Sequence, residues 1–264
     1  MRIKRMPEFV ITSVDSHVGL IKFNRPERHN AVHDAMGAEM RSAIQSAIED
    51  DDVRCILITG EGKSFCAGRD TTVLGHRARD ESDFHFVRRA QEGRLSLLDC
   101  PKPVITAING YAIGGGCEMA LASDIRIAAK DAIFSLPEIN YGLLPDTGGT
   151  QYVAALAGPG VAKYMTMTGA RVGAQQAFAW GLVDFLVDPE ALQDFALQMA
   201  KDIAAKPPIN LAMAKQLVDN IYGAAVREGV RHELIAQSAI FKTEDYQEAR
   251  AAIREKRKPA YRGK

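Results

Sequence analysis

Apolar residues recur along this chain at two periods, and the alternation between those periods outlines a fold. Residues 8–13 and 17–23 read as two strands around a turn at Asp15 and Ser16. A helix is predicted over 34–49, with Ala35, Met36, Met40, Ala43, Ile44 and Ala47 on its apolar face. Residues 55–58 form a wholly apolar run, the pattern of a strand in a parallel sheet covered on both sides. A polar loop over 60–79 leads to a helix over 82–98, and Pro101 and Pro103 end that helix and open the next strand. Two short apolar strands, 104–108 and 111–113, run into three glycines and a helix-like segment at 119–122. Strands alternating with helices predict a parallel sheet built from βαβ units. From Gly158 onward helical spacing dominates. Asp188-Pro189-Glu190 reads as a helix start with Asp188 as N-cap, followed by Leu192, Phe195, Ala196, Met199 and Ile203 at helical spacing. Pro207-Pro208 breaks that helix, and two or three more follow up to Glu255. The division expected is a β/α core over 1–200 and a helical region over 201–264.

The chemistry concentrates at Gly114-Gly115-Gly116-Cys117-Glu118, with Glu138 following twenty residues later after Leu136-Pro137. Three glycines remove side chains, so backbone N–H groups can approach a ligand closely. A helix starting there presents unpartnered N–H groups and the positive end of its dipole to an oxygen that becomes anionic. Two carboxylates beside such a site are equipment for acid–base chemistry on a carbonyl compound. Each part also has a plain structural reading: a strand-to-helix turn, a glutamate complementing a helix dipole, a solvated loop glutamate. The combination points to a site.

That combination sits in a wider resemblance. The stretch from Ile108-Asn109-Gly110 through Glu118, then Ala122-Ser123-Asp124, Pro137-Glu138-Ile139 and Gly148-Gly149-Thr150-Gln151, resembles the crotonase (enoyl-CoA hydratase/isomerase) superfamily. Asn24-Arg25-Pro26 with Asn30-Ala31 resembles the family's early turn, and Phe65-Cys66-Ala67-Gly68-Arg69-Asp70 resembles its first oxyanion segment. Glu255-Lys256-Arg257-Lys258-Pro259 resembles its closing element. The resemblance implies an α/β fold, a crotonase-like β/α spiral core with a helical C-terminal region that packs across trimer contacts, in a trimer or a dimer of trimers. It implies an enoyl-CoA hydratase adding water across C2=C3 of a 2-enoyl-CoA thioester, with an enoyl-CoA isomerase as the alternative. Glu118 and Glu138 are then the catalytic pair, Glu138 serving C2 and Glu118 the water. The backbone N–H groups of Arg69 and Gly115 hold the thioester oxygen, and the Arg69 side chain is expected to point to solvent in preference to the CoA phosphates. Arg28, Ala31, Ala67, Gly68, Asp70, Gly114 and Lys256 are the candidate residues for binding substrate and CoA. Asp146, where plain hydratases often have Gly, is either the N-cap of the helix after it or an additional acid/base. Phe84, Phe86, Tyr141 and Trp180 are candidate pocket walls.

Composition trims the alternatives. Lys plus Arg and Asp plus Glu both number 33, so no whole-chain field recruits nucleic acid or an anionic membrane. No apolar run approaches the roughly 20 residues of a membrane span, and the basic N-terminus, residues 1–7, lacks the apolar segment of a signal peptide. Cysteines at 55, 66, 100 and 117 fit neither a zinc spacing nor CxxC and read as buried thiols of a cytoplasmic protein. His29 and His33 lie one helical turn apart without a third ligand, so no metal is expected, and no cofactor beyond the CoA of the substrate. Gly60-Glu61-Gly62-Lys63-Ser64 resembles the end of a phosphate-binding loop, but that loop's first Gly would fall at 57, which is Leu. A non-catalytic RNA-binding or scaffold role would want a basic stripe interleaved with aromatics, and the basic segment 250–264 offers only Tyr261.

Overall fold

In the computed structural model of the protein, residues 9–74 and 80–264 are described; the N-terminal basic stretch, the first residue of the expected opening strand and the end of the polar loop lie outside them. The opening hairpin is β1 (Val10–Asp15) and β2 (Val18–Phe23), with its turn at Ser16 and His17, both at positive φ (52° and 64°). β2 then pairs in parallel with β3 (Cys55–Gly60), followed by β4 (Val104–Ile108), β6 (Ile125–Ala129) and β9 (Phe185–Val187), giving a six-stranded sheet in the order β1-β2-β3-β4-β6-β9. A second sheet holds β5 (Tyr111–Ile113), β7 (Ile133–Ser135) and β8 (Val172–Gly173).

Period-2 burial shows why the strands read as unbroken apolar runs. Ile56 and Ile58 of β3, with Val104 and Ile108 of β4, enter a core shared with α1 (Asp34–Glu49), α2 (Asp83–Leu98), α3 (Gly115–Leu121) and α4 (Gly149–Thr168). Cys55 and Leu57, with Ile105 and Ala107, enter a second core closed by α6 (Leu192–Ala204). Both faces are covered, as a parallel sheet requires. α6 docks through Leu192, Ala196, Ala200 and Ala204, a stripe of mostly small residues that lets the helix lie close to the strands, whereas Phe195 stays 38% exposed. Asp188 does not cap this region: no side-chain cap bond forms, and its carboxylate pairs with Lys130 at 2.8 Å.

The short α5 (Ala174–Ala179) precedes β9, and three helices complete the chain, α7 (Pro208–Asp219), α8 (Gly223–Ile240) and α9 (Glu244–Glu255). Pro208 opens α7 at a position where its missing N–H costs nothing. No residue of α7 is buried, and Ile209, Met213 and Leu217, with Ile221 beyond, form a stripe at four-residue spacing that is 61–82% exposed. α8 instead buries Val226, Gly229, Val230, Glu233, Leu234 and Gln237, a face in which two polar residues interrupt the apolar ones. All four cysteines are buried thiols. Among the described residues no helix is long and apolar enough to cross a membrane.

Candidate active site

β5 and β7 run in parallel with Ile113 opposite Ser135, so the segments leaving their ends emerge together. The Gly114 N–H donates to the Ser135 carbonyl at 2.9 Å, and a Cβ placed on Gly114 would lie 2.6 Å from Glu138 Oε1. Glu138 sits in the first position of a 3-10 turn, Glu138–Tyr141, behind Pro137. The segment 66–70 lies along the same edge: Cys66 bridges in parallel to Ala112, and the Ile113 N–H donates to the Cys66 carbonyl at 3.0 Å. Gly68 (φ +78°) permits a close approach, since a Cβ there would stand 2.6 Å from the Ile113 carbonyl and 3.3 Å from the Gly115 nitrogen. The backbones of Arg69 and Gly115 are therefore neighbours, and Gly115 opens α3, which brings Glu118 in one turn later.

Glu118 is 2% exposed and is held as an acceptor. The Thr147 N–H and Gly149 N–H donate to its Oε1, both at 2.9 Å, and the Thr147 hydroxyl donates to its Oε2 at 2.5 Å. Glu138 is the opposite case, with a buried Oε2 that has no hydrogen-bond partner among the described residues. Burial first, then the Glu118 charge, then Asp146 and Glu233, push its carboxyl well above the ordinary glutamate range.

Sequence reasoning missed the third member of this cluster. Glu233 of α8 is 6% exposed; the Gly148 N–H donates to its Oε2 at 2.7 Å, and the Thr150 N–H and hydroxyl donate to its Oε1 at 3.1 and 2.5 Å. Four successive N–H groups at the start of α4 thus alternate between Glu118 and Glu233. Two carboxylates shared across one helix N-terminus satisfy donors the helix itself leaves open. The legible signal was a charged residue on the buried face of α8, between Val226, Val230 and Leu234. Burial and the neighbouring Glu118 push Glu233 from 4.5 up to about 8, against the lowering effect of its Thr150 and Gly148 donors. Over that window the folded protein holds a proton that the unfolded chain has released, so stability falls as pH rises from about 4.5 to about 8. Glu233→Gln removes this titration, and thermal melts across that range will show the wild-type Tm falling relative to the variant. Parallel curves would refute the shift.

One cavity of ≈ 210 Å³ is lined by Glu118 and Glu138, while Glu233 stands behind its wall. Of the residues expected at the site, Ala67, Gly68, Arg69, Gly114, Gly115, Glu118, Glu138 and Asp146 line it, with Phe86 and Tyr141 among its walls. Arg28, Ala31, Asp70 and Lys256 do not line it. Asp70 is a structural group: its buried carboxylate accepts from Arg25 Nη1 and the Thr72 hydroxyl, both at 2.7 Å, and from the Thr72 N–H at 2.9 Å. Burial raises its pKa, but these Thr72 and Arg25 bonds outweigh it and hold the group down at about 2. Lys256 caps the end of α9 in a left-handed conformation, with its side chain exposed. Phe84 is 45% exposed, and Trp180 packs edge-on against Tyr164 at 6.0 Å; neither lines the cavity.

Two expectations need correction. The Arg69 side chain does not extend into solvent; its Nη1 donates to Asp34 Oδ1 at 2.7 Å, and its Cζ lies 5.7 Å from the centre of the Phe86 ring. Asp146 is not the N-cap of α4. That position is Gly148, two residues on, without a side-chain cap, because Glu118 and Glu233 already take the free N–H groups. The Asp146 carbonyl accepts from Gln91 of α2 at 2.8 Å, and the residue lines the cavity.

Residues 13–264 match the family model described as enoyl-CoA hydratase/isomerase. The chain belongs to that family. It is 35% identical to the 1,2-epoxyphenylacetyl-CoA isomerase of Escherichia coli K12, over 98% of this chain and the whole of that protein. It is 36% identical to the short-chain-enoyl-CoA hydratase of Clostridium acetobutylicum, over 94% of this chain and 95% of that one. Among solved structures, a carnitinyl-CoA dehydratase from Mycobacterium avium superposes with a TM-score of 0.86 at 29% identity, covering 98% of this chain and all of that one. The expected crotonase-type α/β fold with a helical C-terminal region is the fold observed.

Proposed function

We propose that the protein hydrates a 2-enoyl-CoA thioester, with Glu118 and Glu138 as the catalytic pair. The observation that carries this reading is the opposed environment of the two carboxylates in one cavity: Glu118 an acceptor held by three donors, Glu138 a buried carboxyl whose Oε2 has no hydrogen-bond partner among the described residues and whose pKa burial and the Glu118 charge push up. The thioester oxygen accepts from the backbone N–H groups of Arg69 and Gly115, which lie on adjoining segments at the cavity edge. Each such donor lowers the barrier by about 2.7–4 kcal/mol in other enzymes, because it is aimed where charge develops. Glu118 takes a proton from water as the water oxygen bonds to C3. The C2=C3 electron pair moves onto the thioester as an enolate, and Glu138 delivers its proton to C2 as the enolate collapses. Water is consumed and no redox change occurs. CoA is part of the substrate, and the buried thiols suit a reducing compartment such as the cytoplasm. The test follows the loss of enoyl-thioester absorbance with a chelator present; absence of turnover on short, medium and branched enoyl-CoAs would end the proposal.

Asp146 keeps isomerisation open as a second reading. It is freed from the capping role and lines the cavity with both glutamates, where a carboxylate could carry a proton along the acyl chain. Hydration and 3-enoyl to 2-enoyl isomerisation are to be measured in Asp146→Asn and Glu118→Gln. Isomerisation that is abolished by the first and spared by the second would make the protein an isomerase.

The exposed stripe on α7 supports self-association, in a trimer or a dimer of trimers. Large apolar side chains aligned at four-residue spacing on a helix with no buried residue are a face that a second copy covers. Light scattering at micromolar concentration should give a multiple of three, and a monomer would refute it.

A further inference from the structure

Gln237 is a polar residue of this cavity that hydration does not use. It is 1% exposed, on the buried face of α8 one turn beyond Glu233, and it lines the cavity. Its Oε1 accepts from the Leu144 N–H at 2.9 Å. That bond fixes which way the amide points, since the opposite orientation would set an NH2 group against an N–H. Its Nε2 is then left buried with no hydrogen-bond partner among the described residues. A buried donor without an acceptor destabilises the protein that carries it, and its persistence calls for a partner that arrives with the ligand. Nothing at C2=C3 supplies that need, because the glutamates and the two backbone amides already serve the thioester and the water.

A second unmatched donor bounds the same cavity. Arg69 Nη1 is taken by Asp34, but its Nη2 is buried and without a hydrogen-bond partner among the described residues. Arg69 lies over one aromatic wall: Phe86 meets Phe241 at 6.3 Å, and Phe241, one turn beyond Gln237, meets Tyr246 at 5.2 Å. The Arg89 guanidinium, 5.6 Å from the same Phe86 ring, is by contrast matched by Glu81.

We propose that this wall reads an oxygen atom on the acyl chain: Gln237 Nε2, assisted by Arg69 Nη2, donates to a hydroxyl, carbonyl or carboxylate oxygen, so the acyl group the protein takes is oxygenated and not a plain hydrocarbon. The inference rests on the acyl-CoA reading above and names the substrate class within it. Phe86, Phe241 and Tyr246 enclose the carbon chain, and the two donors select at the one polar point. An apolar cavity discriminates weakly against an added oxygen, whereas a site holding a buried donor rejects the analogue that cannot accept from it.

Binding tests this independently of turnover. Saturated acyl-CoA thioesters of matched chain length, ending in a methyl, a hydroxyl or a carboxylate, are titrated calorimetrically into the wild type, Gln237→Leu and the closely isosteric Gln237→Met. The wild type should bind an oxygenated ligand at least ~10-fold more tightly than its methyl counterpart, and both variants should bring that ratio close to one. A carboxylate favoured over a hydroxyl marks the Arg69 charge as a contributor; equal affinity assigns the selection to Gln237 alone. The inference is overturned if the wild type binds the methyl ligand as tightly, or if the preference survives both substitutions, as it would were Gln237 only a holder of the water. A protein that keeps the ratio yet hydrates no enoyl thioester would refute the hydratase reading and leave this one standing.

Discussion

Glu118→Gln and Glu138→Gln should each lower kcat for hydration by about 10²-fold or more, the usual scale for a positioned acid or base, but their effects on stability should differ. Glu138 Oε2 has no hydrogen-bond partner among the described residues, and burial already disfavours its charge, so a neutral amide of the same shape leaves the melting temperature unchanged or raises it. Glu118 accepts from two N–H groups and a hydroxyl at the start of α4. A Gln there turns one oxygen into an NH2 that faces a donor, and one buried group left unmatched costs about 1–3 kcal/mol. Thermal melts alongside steady-state hydration separate the two. A Glu138→Gln enzyme that hydrates at near wild-type rate would remove Glu138 from the chemistry; one that loses activity only together with its fold would assign it a structural role.

Strands β3 and β4 were legible because both of their faces are buried, so they spell nearly unbroken apolar runs, as 55–58 does; β6, which carries Arg126, and β9, which leaves Phe185 exposed, gave no such run. Helix α1 was legible in its bounds and in Met36, Met40, Ile44 and Ala47, which keep one face, whereas Ala35, expected on that face, is exposed. The cluster's third carboxylate went unread: Glu233 shares the helical face of Val226, Val230 and Leu234, but that register alone does not tell a buried glutamate from one at the solvated edge of the face, and its burial follows from where α8 crosses the start of α4. Asp146 misled for the same reason. An Asp before Thr-Gly-Gly is a good cap by local rules, yet carboxylates from two distant elements reach those N–H groups first. Asp188 likewise satisfies the local rule for a cap and spends its carboxylate on Lys130 across a strand end. Local chemistry predicts what a residue is able to do, and the fold decides which of several able residues is near enough to do it.

The glycine triplet, read at first only as bare backbone, separates into positions with different consequences, and Gly114→Ala is the substitution that exposes this. Gly114 has φ +53° and ψ −127°, a conformation L side chains rarely adopt, so Ala there costs about 1–3 kcal/mol of backbone strain. Its Cβ would lie 2.6 Å from Glu138 Oε1 and 4.0 Å from Pro137 Cδ. The near atom is the end of a side chain that is able to turn away, so the fold survives and the carboxyl moves. Displacing a reacting group by about an ångström costs on the order of 10²-fold in rate. At Gly116 the same methyl would stand 2.1 Å from the Cys66 carbonyl, where only backbone could yield, and that backbone carries the Arg69 segment. Gly114→Ala should therefore purify as a folded protein with hydration reduced about 10²-fold, whereas Gly116→Ala should fail to accumulate in folded form. Circular dichroism, melting curves and hydration rates on the pair decide the matter. If Gly114→Ala melts within a few degrees of the wild type and hydrates as fast, Glu138 does not act from the place where the fold holds it.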